Sequence, residues 1–303
     1  MRSADLYILT FISLCLLFSG CAITPENGET RFYGLIIGIE NYDNIKPLNY
    51  CVDDATELFD SLTAHGWDPG DITVLTDGGA TKANISSAIA SIVSSAGKKD
   101  YLFVYYSGHG TVVADKSGDE ADGYDEAIAP VDTAFLPPPE DTSIDESTLI
   151  LDDELRDLLN GAKTEKGLII FDSCNSGGVI NKGFESLRAS PRAISAKGPG
   201  ARDLGGSGTN GDLDILNMPV LAASGQNEFS YEHVPLSHGL FTYYILSGLE
   251  RLKADGNGDG KVSVRELFGY AEIHTESFAE RRMYSQNPQI RFSRDFIDIL
   301  VTR

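Results

Sequence analysis

Two short polar clusters interrupt the apolar stretches of this chain and carry its most reactive side chains. The first, Ser107-Gly108-His109-Gly110, follows the run Tyr101 to Tyr106; the second, Asp172-Ser173-Cys174-Asn175-Ser176-Gly177-Gly178, follows Leu168 to Phe171. Histidine is the side chain that exchanges a proton near neutral pH. Flanking glycines let a backbone approach a ligand with no side chain in the way, which predicts an imidazole open to solvent and substrate. A cysteine at a strand end has backbone amides at hand to stabilise a thiolate or an oxyanion. Where extended geometry persists, period two points Ser107 the same way as His109 and Asp172 the same way as Cys174. An acid, a hydroxyl, a base and a nucleophile then share one region. Plainer uses stay open for each residue alone: a hydrogen-bonded His109, and a Cys174 paired with Cys51 in a disulfide.

The elements that must position these clusters follow from hydrophobic period. Phe32 to Ile39, Tyr101 to Tyr106 and Leu168 to Phe171 are continuous apolar runs, as expected of strands buried on both faces of a parallel sheet. Shorter strands are predicted at Ile72 to Leu75, Ala127 to Val131 and Pro219 to Ala223. Helical spacing marks Asp53 to Ala64, Thr81 to Ser95, about Asp152 to Leu159, about Leu240 to Leu252 and about Val264 to Arg281. This alternation predicts a doubly wound α/β sheet, whose sites form beyond the carboxyl ends of the strands. Lys182 to Asp212, rich in Gly, Ser and Ala, has no sustained period and reads as a long exposed loop. Arg188, Arg192, Lys197 and Arg202 stand in it as candidate cleavage points.

Composition narrows the function. Of 303 residues, 42% are hydrophobic and 23% charged, which excludes a disordered tail protein and a polytopic membrane protein. Asp and Glu number 45 against 24 Lys and Arg, and a net charge of −21 argues against nucleic acid as a partner and for cations. Four cysteines are too few for a disulfide scaffold at this length. Leu6 to Phe18 has the length of a signal-peptide apolar region rather than a membrane span. Leu17-Phe18-Ser19-Gly20-Cys21 resembles a bacterial lipoprotein cleavage site. Residues 1–20 are therefore expected to be removed, Cys21 to be lipidated and 21–31 to form a tether, giving an exported, membrane-anchored protein.

Taken together, Tyr106-Ser-Gly-His-Gly110 and Asp172-Ser-Cys-Asn-Ser-Gly177, with Cys51-Val-Asp-Asp-Ala55 and Asp122-Gly-Tyr-Asp-Glu126, resemble the metacaspases and bacterial caspase-like cysteine peptidases. The resemblance spans about residues 32–293. The Gln-Ala-Cys signature of true caspases is absent. The resemblance implies a three-layer α/β/α sandwich with a mostly parallel central sheet, in a peptidase domain over 32–303. A large-subunit-like part (32–181) and a small-subunit-like part (213–303) would flank the 182–212 loop. It implies an endopeptidase in which Cys174 attacks the scissile carbonyl, His109 handles the proton, and the amides of Gly110 and Cys174 hold the oxyanion. Asp54 and Asp172, with Ser107 beside them, match a pocket selecting Arg or Lys before the cut, in protein or peptide substrates taken by a monomer.

Calcium is the expected cation, and no organic cofactor is expected. Asp255, Asn257, Asp259, the Lys261 carbonyl, Ser263 and Glu266 satisfy every fixed position of an EF-hand loop, between two helical segments. By resemblance a second, acidic calcium site falls on Asp125, Asp152 and Asp153, with Asn181 where the family has a fourth aspartate. Two alternatives remain: a catalytically weak caspase-fold scaffold, and a calcium-binding surface lipoprotein with a structural thiol.

Overall fold

The computed structural model describes residues 29–118, 124–138, 143–164, 166–173, 189–191, 218–224 and 228–291. Strand β1 (Phe32–Gly38) leads into helix α1 (Cys51–Ala64), β2 (Ile72–Thr76), α2 (Lys82–Ser95) and β3 (Tyr101–Ser107). Next come β4 (Gly110–Ala114), β5 (Tyr124–Ile128), β6 (Ile150–Leu151), α3 (Asp152–Leu159) and β7 (Gly167–Asp172). The remainder comprises β8 (Ala189–Pro191), β9 (Val220–Ala222), β10 (Tyr231–His233), β11 (His238–Gly239), α4 (Leu240–Leu249), α5 (Val264–Glu280) and β12 (Gln289–Arg291).

Six strands form the central sheet in the order β12-β9-β7-β3-β1-β2, parallel except where β12 runs against β9. Period two divides the strands between two apolar layers. Ile36, Phe103, Tyr105, Leu168 and Ile170 face α1, α4 and α5, meeting Leu58, Leu62, Phe241, Ile245, Leu267 and Phe268. Leu35, Ile37, Leu102, Val104, Ile169 and Phe171 face α2 and α3, meeting Ile85, Ile89, Ile92, Leu155 and Leu159. The result is the expected three-layer sandwich. β3 and β7 lie side by side, with Ser107 opposite Asp172, so both polar clusters leave the same edge of the sheet.

Three local expectations change. The stretch after His109 contains β4, paired antiparallel with β5 and extended by β6; β5 ends at Ile128, so the expected strand at 127–131 begins and ends earlier. Residues 189–191, inside the expected loop, pair antiparallel with β10, because backbone pairing needs no apolar period. Helix α1 starts at Cys51 rather than Asp53. Tyr50 gives it no side-chain cap; instead Glu40 accepts the Val52 amide at 2.9 Å, and Glu232 accepts the amides of Asn49 and Tyr50. Carboxylates from distant positions thus satisfy the helix start.

Candidate active site

Beyond the end of β3 the chain must turn without losing the direction of His109, and two tyrosines hold it. The His109 amide donates to the Tyr42 hydroxyl at 2.8 Å. Tyr42 and Tyr106 hydroxyls lie 3.3 Å apart, and Tyr106 donates to the carbonyls of His109 (2.7 Å) and Ala129 (3.0 Å). Both backbone groups of His109 are therefore bound into one small circuit. Burial, the largest cause, together with Tyr106 pushes the Tyr42 phenol well above its ordinary pKa of 10.0, so it stays a neutral hydroxyl. A Cβ on Gly108 would stand 2.5 Å from the Tyr106 hydroxyl and 2.6 Å from that of Tyr42. That close approach, rather than access for a ligand, is what requires glycine there. The imidazole is accordingly not open as its glycine neighbours predict: His109 is 2% exposed.

Ring orientation follows from one contact. Nε2 of His109 lies 2.7 Å from the Lys46 carbonyl, an obligate acceptor, so Nε2 carries the proton and Nδ1 is the basic nitrogen of the neutral ring. The Tyr42 ring packs 4.9 Å from the imidazole and restrains its tilt. Held so, the ring has the geometry that proton transfer through Nδ1 would need.

Two carboxylates lie behind it, both fully buried. Asp54 accepts the Ser107 hydroxyl at 2.9 Å, the Gly239 amide at 3.1 Å and His238 Nδ1 at 2.8 Å. Asp172 accepts the Ser230 hydroxyl and, from α4, the Thr242 amide at 3.1 Å and hydroxyl at 2.6 Å. Both anions sit at the N-terminal end of α4, where unsatisfied amides and the helix dipole favour negative charge. The structure so brings together Asp54, Ser107 and Asp172, three residues that the resemblance assigns to one pocket. Asp172 also caps α4 from a distant position in the chain.

A family model described as a caspase domain, of the C14 peptidases, matches residues 31–296. The chain belongs to the caspase-domain family. Metacaspase-1 of Schizosaccharomyces pombe is 27% identical over 276 residues, covering 85% of this chain and 61% of that protein. Metacaspase-1A of Neurospora crassa is 31% identical over 234 residues, covering 70% and 48%. The chain thus spans about half to three-fifths of the length of these relatives. Protein GSU0716 of Geobacter sulfurreducens superposes with a TM-score of 0.59 at 22% identity, over 90% of this chain and 97% of that one, a likeness of fold.

Within this caspase domain Gly110 opens β4 directly after His109. Cys174, Asn181, Cys21, the 1–20 leader, and Arg188, Arg192, Lys197 and Arg202 lie outside the described residues. Cys51 is buried at the start of α1, with its Sγ 3.8 Å from Glu232 Oε1. Among the described residues no three His, Cys, Asp or Glu side chains gather as a metal-binding group. Asp125 and Asp152 are buried in β5 and at the start of α3, and Asp153 is paired with Arg156.

In the 255–266 loop, Asp255 accepts the Gly258 and Gly260 amides, Asn257 and Asp259 accept those of Asp259 and Lys261, and Glu266 accepts those of Asn257 and Ser263. Ser263 and Glu266 also form the capping box of α5, a use of both residues that the sequence reading missed. Burial works to raise the Glu266 pKa, but the bonds from Ser263 and Asn257 outweigh it and hold it below 4.5. The donors are all oxygens, which suits a hard cation.

Sequence reasoning also missed Tyr42, Tyr106, Ser230, Glu232, His238 and Thr242. Tyr42, three residues past Ile39, Tyr106, inside the motif around His109, and His238-Gly239, before an apolar helix, were the available signals; Ser230, Glu232 and Thr242 had none nearby.

Proposed function

We propose that this caspase-domain chain is a cysteine endopeptidase that cuts after Arg or Lys. The observation that carries the reading is the arrangement at one sheet edge: a His109 fixed with Nδ1 as its base, beside a β7 strand whose last residue, Asp172, precedes Cys174 by two positions. His109 Nδ1 takes the Cys174 thiol proton, the thiolate sulfur bonds to the scissile carbonyl carbon, and the π electrons move to oxygen. The amides of Gly110 and Cys174 receive that oxyanion. His109 delivers a proton to the departing amine, and water later releases the acyl group with the same imidazole as base. The Arg or Lys preference is supported by the charge of two buried carboxylates, Asp54 and Asp172, at this end of the sheet, which would attract a cation and repel an acidic side chain.

A peptide library varied at the residue before the cut tests this. Arg and Lys are expected to dominate, with no turnover by Cys174→Ala; preference for Asp, or turnover by that variant, overturns it. Three further parts belong to the same proposal. Lipid on Cys21, supported by the sequence Leu17 to Cys21, is tested by the intact mass of the native protein. Self-cleavage after Arg188, Arg192, Lys197 or Arg202 is tested by new chain ends in the active protein. Calcium on the 255–266 loop, supported by its oxygen donors, is tested by calorimetry; the bound ion supplies a positive charge that Asp255, Asp259 and Glu266 hold.

A further inference from the structure

His238 stands where the β10–β11 hairpin turns into α4, with its side chain 8% exposed. Nδ1 lies 2.8 Å from Asp54 Oδ1, and Nε2 lies 3.2 Å from Glu57 Oε2. Asp54 accepts hydrogen bonds at both oxygens, from Ser107 and Gly239 as well, and so behaves as an ionised carboxylate. An imidazole facing two carboxylates satisfies both only by donating from both nitrogens, as the imidazolium. The ring thus bonds Asp54 on one side and borders a cavity of about 450 Å³ that Glu57 also lines.

The charges around the ring favour that proton. Helix α1 presents Asp53, Asp54 and Glu57, while α4 contributes Tyr243, whose ring centroid is 6.1 Å away. Across the cavity Lys253 is paired with Glu250, Arg251 lines the wall, and His65 has Nδ1 on the Ser61 carbonyl. His233, opposite His238 on β10, packs on Phe278. Burial works against the charge on His238, but the bond and charge of Asp54, then Glu57 and Asp53, outweigh it and raise its pKa above 6.5.

We propose that His238 is a specificity-determining residue that sets the charge of the Arg/Lys pocket through its proton. Protonated, it neutralises Asp54. Deprotonated, it still donates from Nδ1 but leaves Asp54 a full anion, and the pocket holds a guanidinium or ammonium more tightly. Linkage fixes the sign: a cation in the pocket repels the His238 proton, so loss of that proton as pH rises through the folded pKa, above 6.5, strengthens cation binding. The raised pKa also stabilises the fold below pH 6.5, a contribution lost over the same rise.

The inference rests on the reading of Asp54 as part of that pocket, and the test separates the two. KM is measured from about pH 6 to about pH 9 on two peptides that differ only in Arg or its neutral isostere citrulline before the cut. For Arg, KM should fall on the order of tenfold across the titration, and for citrulline it should stay level. His238→Asn, whose amide replaces Nδ1 as donor to Asp54, should show a level Arg KM near the wild-type alkaline value. Glu57→Gln, at a side chain 61% exposed, should move the transition to lower pH, and it serves if His238→Asn does not fold. A level Arg KM in wild type, or an unmoved transition in Glu57→Gln, overturns the role of His238 alone. Absence of any Arg preference over citrulline at every pH overturns the pocket and this inference together.

Discussion

Replacing Tyr42 by phenylalanine removes one hydroxyl from the circuit that holds His109, and Tyr106→Phe removes the other. In Tyr42→Phe the His109 amide loses the acceptor at 2.8 Å, while the ring that packs 4.9 Å from the imidazole remains, so no cavity opens. A buried donor left without its acceptor costs about 1–3 kcal/mol. In Tyr106→Phe the His109 carbonyl keeps the Ala129 amide at 3.0 Å, but the Ala129 carbonyl loses its Tyr106 donor and the Tyr42 hydroxyl its neighbour, so the cost falls in the same range of about 1–3 kcal/mol. Urea unfolding of both variants reads these as midpoint shifts at unchanged slope. Turnover should fall in Tyr42→Phe with KM kept, because the backbone that aims Nδ1 loosens while Asp54 and Asp172 are untouched. A wild-type midpoint for either variant, or unchanged turnover in Tyr42→Phe, refutes the reasoning.

Gly108→Ala should destabilise by about 1–3 kcal/mol, the usual cost of overpacking, because its Cβ meets both tyrosine hydroxyls; calorimetric Tm checks this. Asp172→Asn should lower kcat/KM for an Arg substrate about tenfold to a hundredfold, from the ~1.5–3 kcal/mol of a charge-assisted partner, and initial rates on matched peptides decide it. Glu266→Gln should weaken calcium binding in a titration with the metal alone, and equal affinity in both proteins would retire the loop as a site.

The layered fold was legible because its strands are continuous apolar runs and its helices carry one apolar face. Leu102 to Tyr106 divides cleanly between the two cores, as the period requires. The hairpin of β4 and β5 was hidden, since Gly110 to Ala114 is short and its partner lies beyond an acidic loop. Asp54, Ser107 and Asp172 were found by motif; Ser107 and Asp172 meet because β3 and β7 are neighbours, and Asp54 reaches Ser107 from α1. His238 and Glu232 were not found, because they act on partners 184 and 183 residues away, Asp54 and Asn49 respectively, and each is locally an ordinary hairpin residue. Glycine beside His109 was misread as access, when two tyrosines that pack against Gly108 explain it.

The most direct test of the account is covalent labelling with a peptide acyloxymethyl ketone ending in Arg, followed by peptide mapping. A Cys174 thiolate served by His109 and a cation-selective pocket predicts a single adduct on Cys174, strongly slowed in His109→Ala and in the matching reagent ending in Asp. Labelling at Cys51, or equal rates with the Arg and Asp reagents, would contradict it.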